Sequence, residues 1–589
     1  ESLRFWSSGL IGLHSLVMRS PFLWLALTLH VALATSYAWF TPTFEGPDEN
    51  SHYEYAWHIA NAGQLPLTFE LVKERDLPQT EGAVLAHHPP LYYALVAAGM
   101  AAAGGDDTVF SPRLNPKFGI PSSAARRLRF LHEEHPDHLL NWLRMISVVL
   151  GAVTIACVHR MGRICCPDVP RVGDLAAMLT ACLPMWSALH GLLNSDVLAA
   201  TLSSATLLVL IQILRSRQVT TPKAALLGLL LGLAFLTKLT TLFLGGLAGL
   251  VALLVIGRWR QGWGAVCVAV TTTLLVCGWV YVRNYTLYND PLALSAHDAS
   301  FPPIPAHLRW HYMFGLDPWP ASVPSFVPNV FTSLFGRFGW FSQPPHPALI
   351  WSGAGVATIA LIGFVRALFD RERKFIPHDT WLLLLACLLV LGGTFYFNMS
   401  APQPQARLLF TAVAPTSVLL AAGLTRITTR LPRRQLVLTL LPITAILAFF
   451  TTFLPAFDPA NARAPDDHRS LVGHIVAGTS AETIRWTSQL SDTPLDQPPT
   501  LEWIDEGAPP NTRYSLYGFD DDGRVWLASH EWTNGALKIS GRSMTIPEAA
   551  WSLLPHGVPI NLRLRRVPNS PSDAPRDLAR TPGLRITRK

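Results

Sequence analysis

Long apolar runs separated by short polar turns organise this chain. The first, Phe22 to Phe40, is followed by similar runs at 142–160, 174–191, 195–214, 223–238, 239–256, 263–282, 350–368, 381–397, 407–425 and 435–454. A helix of about 20 apolar residues crosses the hydrocarbon core of a bilayer, so the pattern predicts about eleven spans. One further apolar run, Pro89 to Gly105, is short, rich in small residues and opened by two prolines. Beyond residue 455 the pattern changes. Short β-like runs at Arg513–Phe519, Arg524–Trp532, Ala536–Ser540 and Ile560–Val567 are separated by turn signals such as Asp520-Asp521-Asp522-Gly523 and Thr533-Asn534-Gly535. The expected fold is an α-helical polytopic membrane protein, residues 1–455, followed by a small β-rich domain, residues 456–589.

Composition agrees with a membrane chain. Half of the 589 residues are hydrophobic and only 14% are charged, against about 25% in soluble proteins. The net charge of +7 is no sign of nucleic-acid binding, because Arg and Lys sit in short loops between apolar runs. If Pro89–Gly105 does not span, one side of the membrane collects Arg4 and Arg19; Arg160, Arg163 and Arg171; Arg215, Arg217 and Lys223; Arg258 and Arg260; Arg366, Arg371, Arg373 and Lys374; and Arg426, Arg430, Arg433 and Arg434. That is the positive-inside pattern. It predicts a long outer loop, 41–141, in which 89–105 is a re-entrant or surface-lying helix. It also predicts an aromatic outer loop, 284–349, and an outer tail. The seven cysteines lie in or beside apolar segments, so no disulfide framework is expected. The run 22–40 lacks a convincing small-residue cleavage site, so no cleavable signal is expected. There is no Walker loop, dinucleotide fingerprint, metal-ligand cysteine cluster or internal repeat.

This topology gathers polar residues at one face. They are Asp48, Glu49, His52, His87, His88, Asp196, Lys238, Arg283, Asn284, Gln403, Gln405 and Arg407. Charges at a membrane face are costly and are functional candidates by default. Several sit in short motifs. Pro47-Asp48-Glu49, with His52 and Tyr55, follows the first span. Then come His87-His88-Pro89-Pro90-Leu91-Tyr92-Tyr93, Arg144-Met145-Ile146-Ser147 with Gly151, and Asn194-Ser195-Asp196. Thr237-Lys238, Arg283-Asn284 and Gln405-Ala406-Arg407 complete the series.

In order and placement these motifs resemble those of the GT-C glycosyltransferases, multi-spanning enzymes that use polyprenyl-phosphate-linked sugars. The resemblance leans toward the protein O-mannosyltransferase and lipid A aminoarabinose transferase group. It covers roughly residues 20–425. It departs in two places: His88 stands where the family often has Lys, and Leu408 follows Arg407 where Tyr is frequent. The resemblance implies a GT-C-like fold and an inverting transfer of a sugar from a polyprenyl-phosphate carrier to a lipid, glycan or protein acceptor. It further implies the extracytoplasmic face of a membrane, in a bacterium the plasma (inner) membrane, with neither cofactor nor metal.

A polyprenyl phosphate leaves as a stable anion, so one carboxylate base suffices and cations replace the general acid. Asp48 is the candidate base; as a residue preceding a helix it also suits an N-cap. Glu49 is grouped with Asp48 as a catalytic candidate; it either orients the acceptor or faces water. Arg407, Arg283, Lys238 and His88 are candidates for the donor phosphate, with snorkelling to headgroups as the alternative for the long cations. His52, Tyr92, Asp196, Asn284 and Gln405 are candidates for positioning substrate, Asp196 equally for capping its helix. A transporter of a lipid-linked intermediate would instead show inverted repeats and mid-membrane charge. A non-catalytic scaffold would not depend on Asp48.

Overall fold

A computed structural model describes residues 20–76, 82–104, 128–130, 138–256, 262–301, 326–340, 344–369, 379–401, 403–428 and 434–457. In the tail it describes 466–467, 484–488, 494–505, 513–519, 524–528, 543–546, 556–567 and 584–589; residues 303, 306, 309, 313, 551 and 554 stand singly. The helices in chain order are α1 (Pro21–Phe40), α2 (Glu49–Ala62), α3 (Phe69–Glu74), α4 (Leu91–Ala102), α5 (His138–Cys165), α6 (Arg171–Ala181), α7 (Pro184–His190), α8 (Ser195–Ser216) and α9 (Thr221–Phe235). They continue with α10 (Phe243–Ile256), α11 (Gly262–Tyr288), α12 (Leu294–Ser300), α13 (Phe326–Ser333), α14 (Pro347–Leu368), α15 (Thr380–Asn398), α16 (Val413–Thr428), α17 (Arg434–Ala448) and α18 (Leu454–Ala456).

Among the described residues seven helices are long and apolar enough to cross a membrane, or eight if α6 and α7, bent by 66°, form one broken span. This falls short of the expected eleven. The runs read as spans at 223–238, 239–256 and 435–454 appear as shorter apolar helices, Thr221–Phe235, Leu239–Val255 and Leu441–Phe453. The 15 residues of α9 rise only about 22 Å, less than the ~30 Å hydrocarbon core. Hydropathy reads through the break at Thr237-Lys238, which ends one helix and begins the next. The α6–α7 bend falls at Pro184, which lacks the N–H that would continue a helix. The run 89–105 forms α4, a 12-residue helix.

Burial separates central from peripheral helices. In α8, 83% of the apolar window is buried, against 11% in α11. Helices apolar on every side suit a core or a membrane setting. Some pairs pack backbone to backbone. A Cβ on Gly363 of α14 would lie 2.0 Å from the carbonyl oxygen of Gly423 in α16; only glycine permits this approach.

The tail strands are β1 (Asp466–Asp467), β2 (Ile484–Trp486), β3 (Thr500–Asp505), β4 (Arg513–Phe519), β5 (Arg524–Ala528), β6 (Ser543–Thr545), β7 (Pro559–Val567) and β8 (Leu584–Thr587). One sheet runs β1-β5-β4-β7-β8, the other β2-β3-β6, and every pairing is antiparallel. Leu516 pairs with Leu564, and both join Trp503, Trp551, Ile560 and Ile586 in a core of their own. Three of the four expected strands coincide with β4, β5 and β7. Ala536–Ser540 and the two turn motifs lie outside the described residues. All seven cysteines are free thiols.

Candidate active site

The C-terminal ends of α1 and α9 and the N-terminal end of α8 meet α2, α4 and the 3-10 segment Ala406–Ala412 around one cluster of charge. Its anchor is Glu49. The first span ends at Thr41, and Pro42 and Pro47 then keep the chain out of helix. Asp48 adopts a left-handed conformation with φ 63°, which Asp tolerates better than most residues. This turn sends the two acids in different directions.

Glu49 is fully buried. Arg144 of α5 donates to both its oxygens, Nε to Oε1 at 2.8 Å and Nη2 to Oε2 at 2.6 Å. The Leu193 N–H donates to Oε1 at 3.0 Å. The other Arg144 hydrogens go to the carbonyls of Ala38, Thr41 and Pro42 and to Asn141. Glu49 therefore does not face water. It ties the loop after α1 to α5 and to the start of α8.

Asp48 points the other way, with its side chain 38% exposed. It makes no side-chain capping bond to α2, so the N-cap alternative does not account for it. Arg407 donates from Nη2 to Asp48 Oδ2 at 2.5 Å. Burial alone pushes this carboxyl up, but Arg407, with help from Lys238, holds it below the usual carboxylate value.

Asp196 continues the chain of charge. Lys238 donates to its Oδ1 at 2.6 Å, and Arg407 Nε lies 3.9 Å from its Oδ2. The cap of α8 is Asn194, whose side chain accepts from the Asp196 N–H at 2.8 Å. Asp196 is thus free of the capping role. Its Oδ2, Arg407 Nε and Gln405 Oε1 are buried without a hydrogen-bond partner.

Histidines line the adjoining wall. Tyr93 OH lies 3.0 Å from His52 Nδ1 and 2.9 Å from His88 Nδ1. A tyrosine has one hydroxyl hydrogen, so one imidazole accepts and the other donates. Tyr55 stacks on Tyr93 at 3.9 Å and donates to the His88 carbonyl. Burial pushes His52 and His87 down to about 3 and His88 well below the usual imidazole value. All three are neutral near pH 7. The segment that carries His87 and His88 turns at Gly82, which has φ +74° and where an added Cβ would lie 2.6 Å from the Tyr55 backbone.

Of the expected site residues, Asp48, His52, His88, Asp196, Lys238 and Arg407 come together here, and Gln405 caps the 3-10 segment that carries Arg407. Tyr92 takes a structural position: its hydroxyl bonds Ser147 and receives the Asn194 N–H. Arg283 donates to the Pro66 carbonyl and Asn284 to the Pro291 carbonyl. Burial pushes the Tyr55 hydroxyl well up, and nearby Arg283 offsets only part of this. Tyr93 and Glu45 were not singled out from sequence. Glu45, fully buried, accepts the N–H groups of Arg129 and Phe130. Tyr93 sits beside Tyr92 in the Pro-Pro-Leu-Tyr-Tyr run, and because adjacent helical residues point about 100° apart, Tyr93 reaches the two imidazoles while Tyr92 turns to Ser147 and Asn194. Among the described residues no three His, Cys, Asp or Glu side chains group to hold a metal ion.

This fold and cluster belong to a polytopic helical membrane protein. Residues 140–281 match a family model described as dolichyl-phosphate-mannose-protein mannosyltransferase. The chain resembles the polyprenyl-phosphate-dependent glycosyltransferases of the GT-C superfamily. Similar solved structures include ArnT from Cupriavidus metallidurans in the apo state, 16% identical over 72% of this chain and 62% of that one, with a TM-score of 0.42. The same protein bound to undecaprenyl phosphate is 15% identical over 79% and 82%, with a TM-score of 0.45. The archaeal oligosaccharyltransferase AglB from Archaeoglobus fulgidus, in complex with an inhibitory peptide and a dolichol-phosphate, is 12% identical over 75% and 56%, with a TM-score of 0.40. The chain thus spans less than two thirds of the apo ArnT chain. No curated protein matches it.

Proposed function

We propose that this protein is an inverting glycosyltransferase that takes a sugar from a polyprenyl-phosphate carrier. The single observation that carries this reading is the half-exposed Asp48 carboxylate held beside Arg407 and Lys238. One base and two cations are what transfer from a phosphate leaving group requires. The acceptor nucleophile forms its new bond to the anomeric carbon. The bond from that carbon to the phosphate oxygen breaks, and its electron pair leaves with the phosphate. The acceptor proton passes to Asp48.

Arg407 and Lys238 neutralise the charge that grows on the leaving phosphate, and Arg283, paired here with neutral oxygens, guides the headgroup. Neutral His88 and His52 offer hydrogen bonds to sugar or acceptor, and Gln405 and Asn284 frame the donor. Glu49 is a positioning residue. In this reading the site lies at the extracytoplasmic face of a bacterial plasma membrane, and residues 456–589 form a separate outer domain beside residues 1–455. The acceptor is a lipid, a glycan or a protein, and surrounding lipid holds the protein in place.

The test supplies purified protein with a panel of polyprenyl-phosphate sugars and candidate acceptors, with glycosylated product detected by mass spectrometry and its anomeric configuration read by NMR. Product with inverted anomeric configuration supports the reading. Movement of intact donor between liposome leaflets without any transfer would replace it with a transporter.

A further inference from the structure

The charged cluster is neutral as it stands. Asp48 and Asp196 supply two negative charges, Arg407 and Lys238 two positive ones, and the neighbouring histidines are neutral. An arriving phosphate therefore finds no idle cation in the cluster. It must take cations that are already engaged.

The two carboxylates are engaged differently. Asp48 has a close bond to Arg407 and is open to the outside, whereas the Asp196 side chain is 3% exposed. Asp196 holds Lys238 at 2.6 Å through Oδ1, and its Oδ2 faces Arg407 Nε at 3.9 Å, too far for a hydrogen bond. Both of those atoms are buried and unpartnered, a costly state that persists only where something compensates. One carboxylate between two cations, one of them incompletely bonded, has the charge and reach of a phosphate between the same groups. Since Asn194 caps α8, no capping duty accounts for an acid at this position.

We infer that Asp196 is an internal stand-in for the donor phosphate: it occupies Lys238 and attracts Arg407 while the site is empty and gives up both when the phosphate arrives. This rests on the glycosyltransferase reading of the site. The exchange makes donor binding weaker than the cations alone would give. It also lets the spent polyprenyl phosphate leave, because Asp196 competes to take the cations back. As Arg407 turns to the phosphate, Asp48 loses its partner and becomes a better base at the moment a donor is present.

The test measures binding of polyprenyl phosphate to the detergent-purified full chain. The comparison is between wild type, Asp196→Asn, Lys238→Met and the double variant. The stand-in role requires Asp196→Asn to bind about tenfold more tightly and to release product more slowly, with kcat falling as KM falls. In the Lys238→Met background most of the gain must vanish, since Asp196 and the phosphate then no longer compete for Lys238. Asp196→Ser provides a second neutral variant, and unchanged Tm confirms that each protein folds. Unchanged or weaker binding in both neutral variants overturns the inference while leaving the transferase reading intact. Failure of wild type to bind any polyprenyl phosphate or its sugar conjugates overturns both.

Discussion

Arg144 and Glu49, 95 residues apart in sequence, form a bidentate pair with no solvent exposure on either side chain. The pair uses Nε and Nη2 of Arg144, while Nη1 bonds the Ala38 and Thr41 carbonyls and Asn141, and together these bonds fix the turn that presents Asp48. Breaking a buried pair from one side strands a charge and costs about 3–5 kcal/mol. Arg144→Met and Glu49→Ala should therefore lower Tm sharply and reduce the yield of folded protein. Glu49→Gln keeps the shape and should lose less. A variant with wild-type Tm but no activity would instead place Glu49 in the chemistry.

Arg407 sets the charge of Asp48. Because Arg407 holds the carboxyl below its usual value, removing it lets that carboxyl rise. In Arg407→Gln the acid limb of the pH–rate profile should move to higher pH, along with a higher donor KM. A raised KM with an unmoved acid limb would separate Arg407 from the state of Asp48.

The buried histidines make stability depend on pH. His52 and His87 have folded values of about 3, below their usual 6.5. Above about 6.5 both folded and unfolded chains carry them neutral, and their contribution is complete. As pH falls from 6.5 toward 3, the unfolded chain takes up protons that the folded chain refuses, and stability is lost. Thermal unfolding followed from pH 7.5 to pH 5 should show a falling Tm. His52→Gln should flatten part of that fall, and an equal slope in wild type and variant would exclude His52 as a contributor.

Tyr93 bridges His52 and His88 through one hydroxyl. Tyr93→Phe keeps the stack on Tyr55 and removes only the bridge, so folding should survive while the two imidazoles lose their fixed tautomers. The expected result is a wild-type Tm with kcat lowered by about tenfold, the scale of one misoriented polar contact. An unaltered kcat would make the bridge purely structural.

The sequence made Asp48 visible because it follows a span and precedes a polar helix, where a carboxylate has a reason to be. It made the broad fold visible because apolar runs of this length have few other uses. Arg407 lies 359 residues from Asp48, and nothing local announces that pairing. Glu49 and Arg144 were each noticed in a motif, but two acids in sequence look alike until the left-handed turn at Asp48 sends one inward. The short helices α9 and α10 were read as full spans because hydropathy averages across a break that backbone geometry makes real. The strands β2, β6 and β8 have only three or four residues, too few for alternation to stand out; β3 alternates over six residues and was not singled out.

The most direct measurement compares wild type with Asp48→Asn for release of free polyprenyl phosphate from a donor that wild type turns over in the presence of its acceptor. Loss of a general base typically costs 10²–10⁴-fold, so the variant should be at least about a hundredfold slower with Tm preserved. Equal rates in the two proteins would contradict Asp48 as the base.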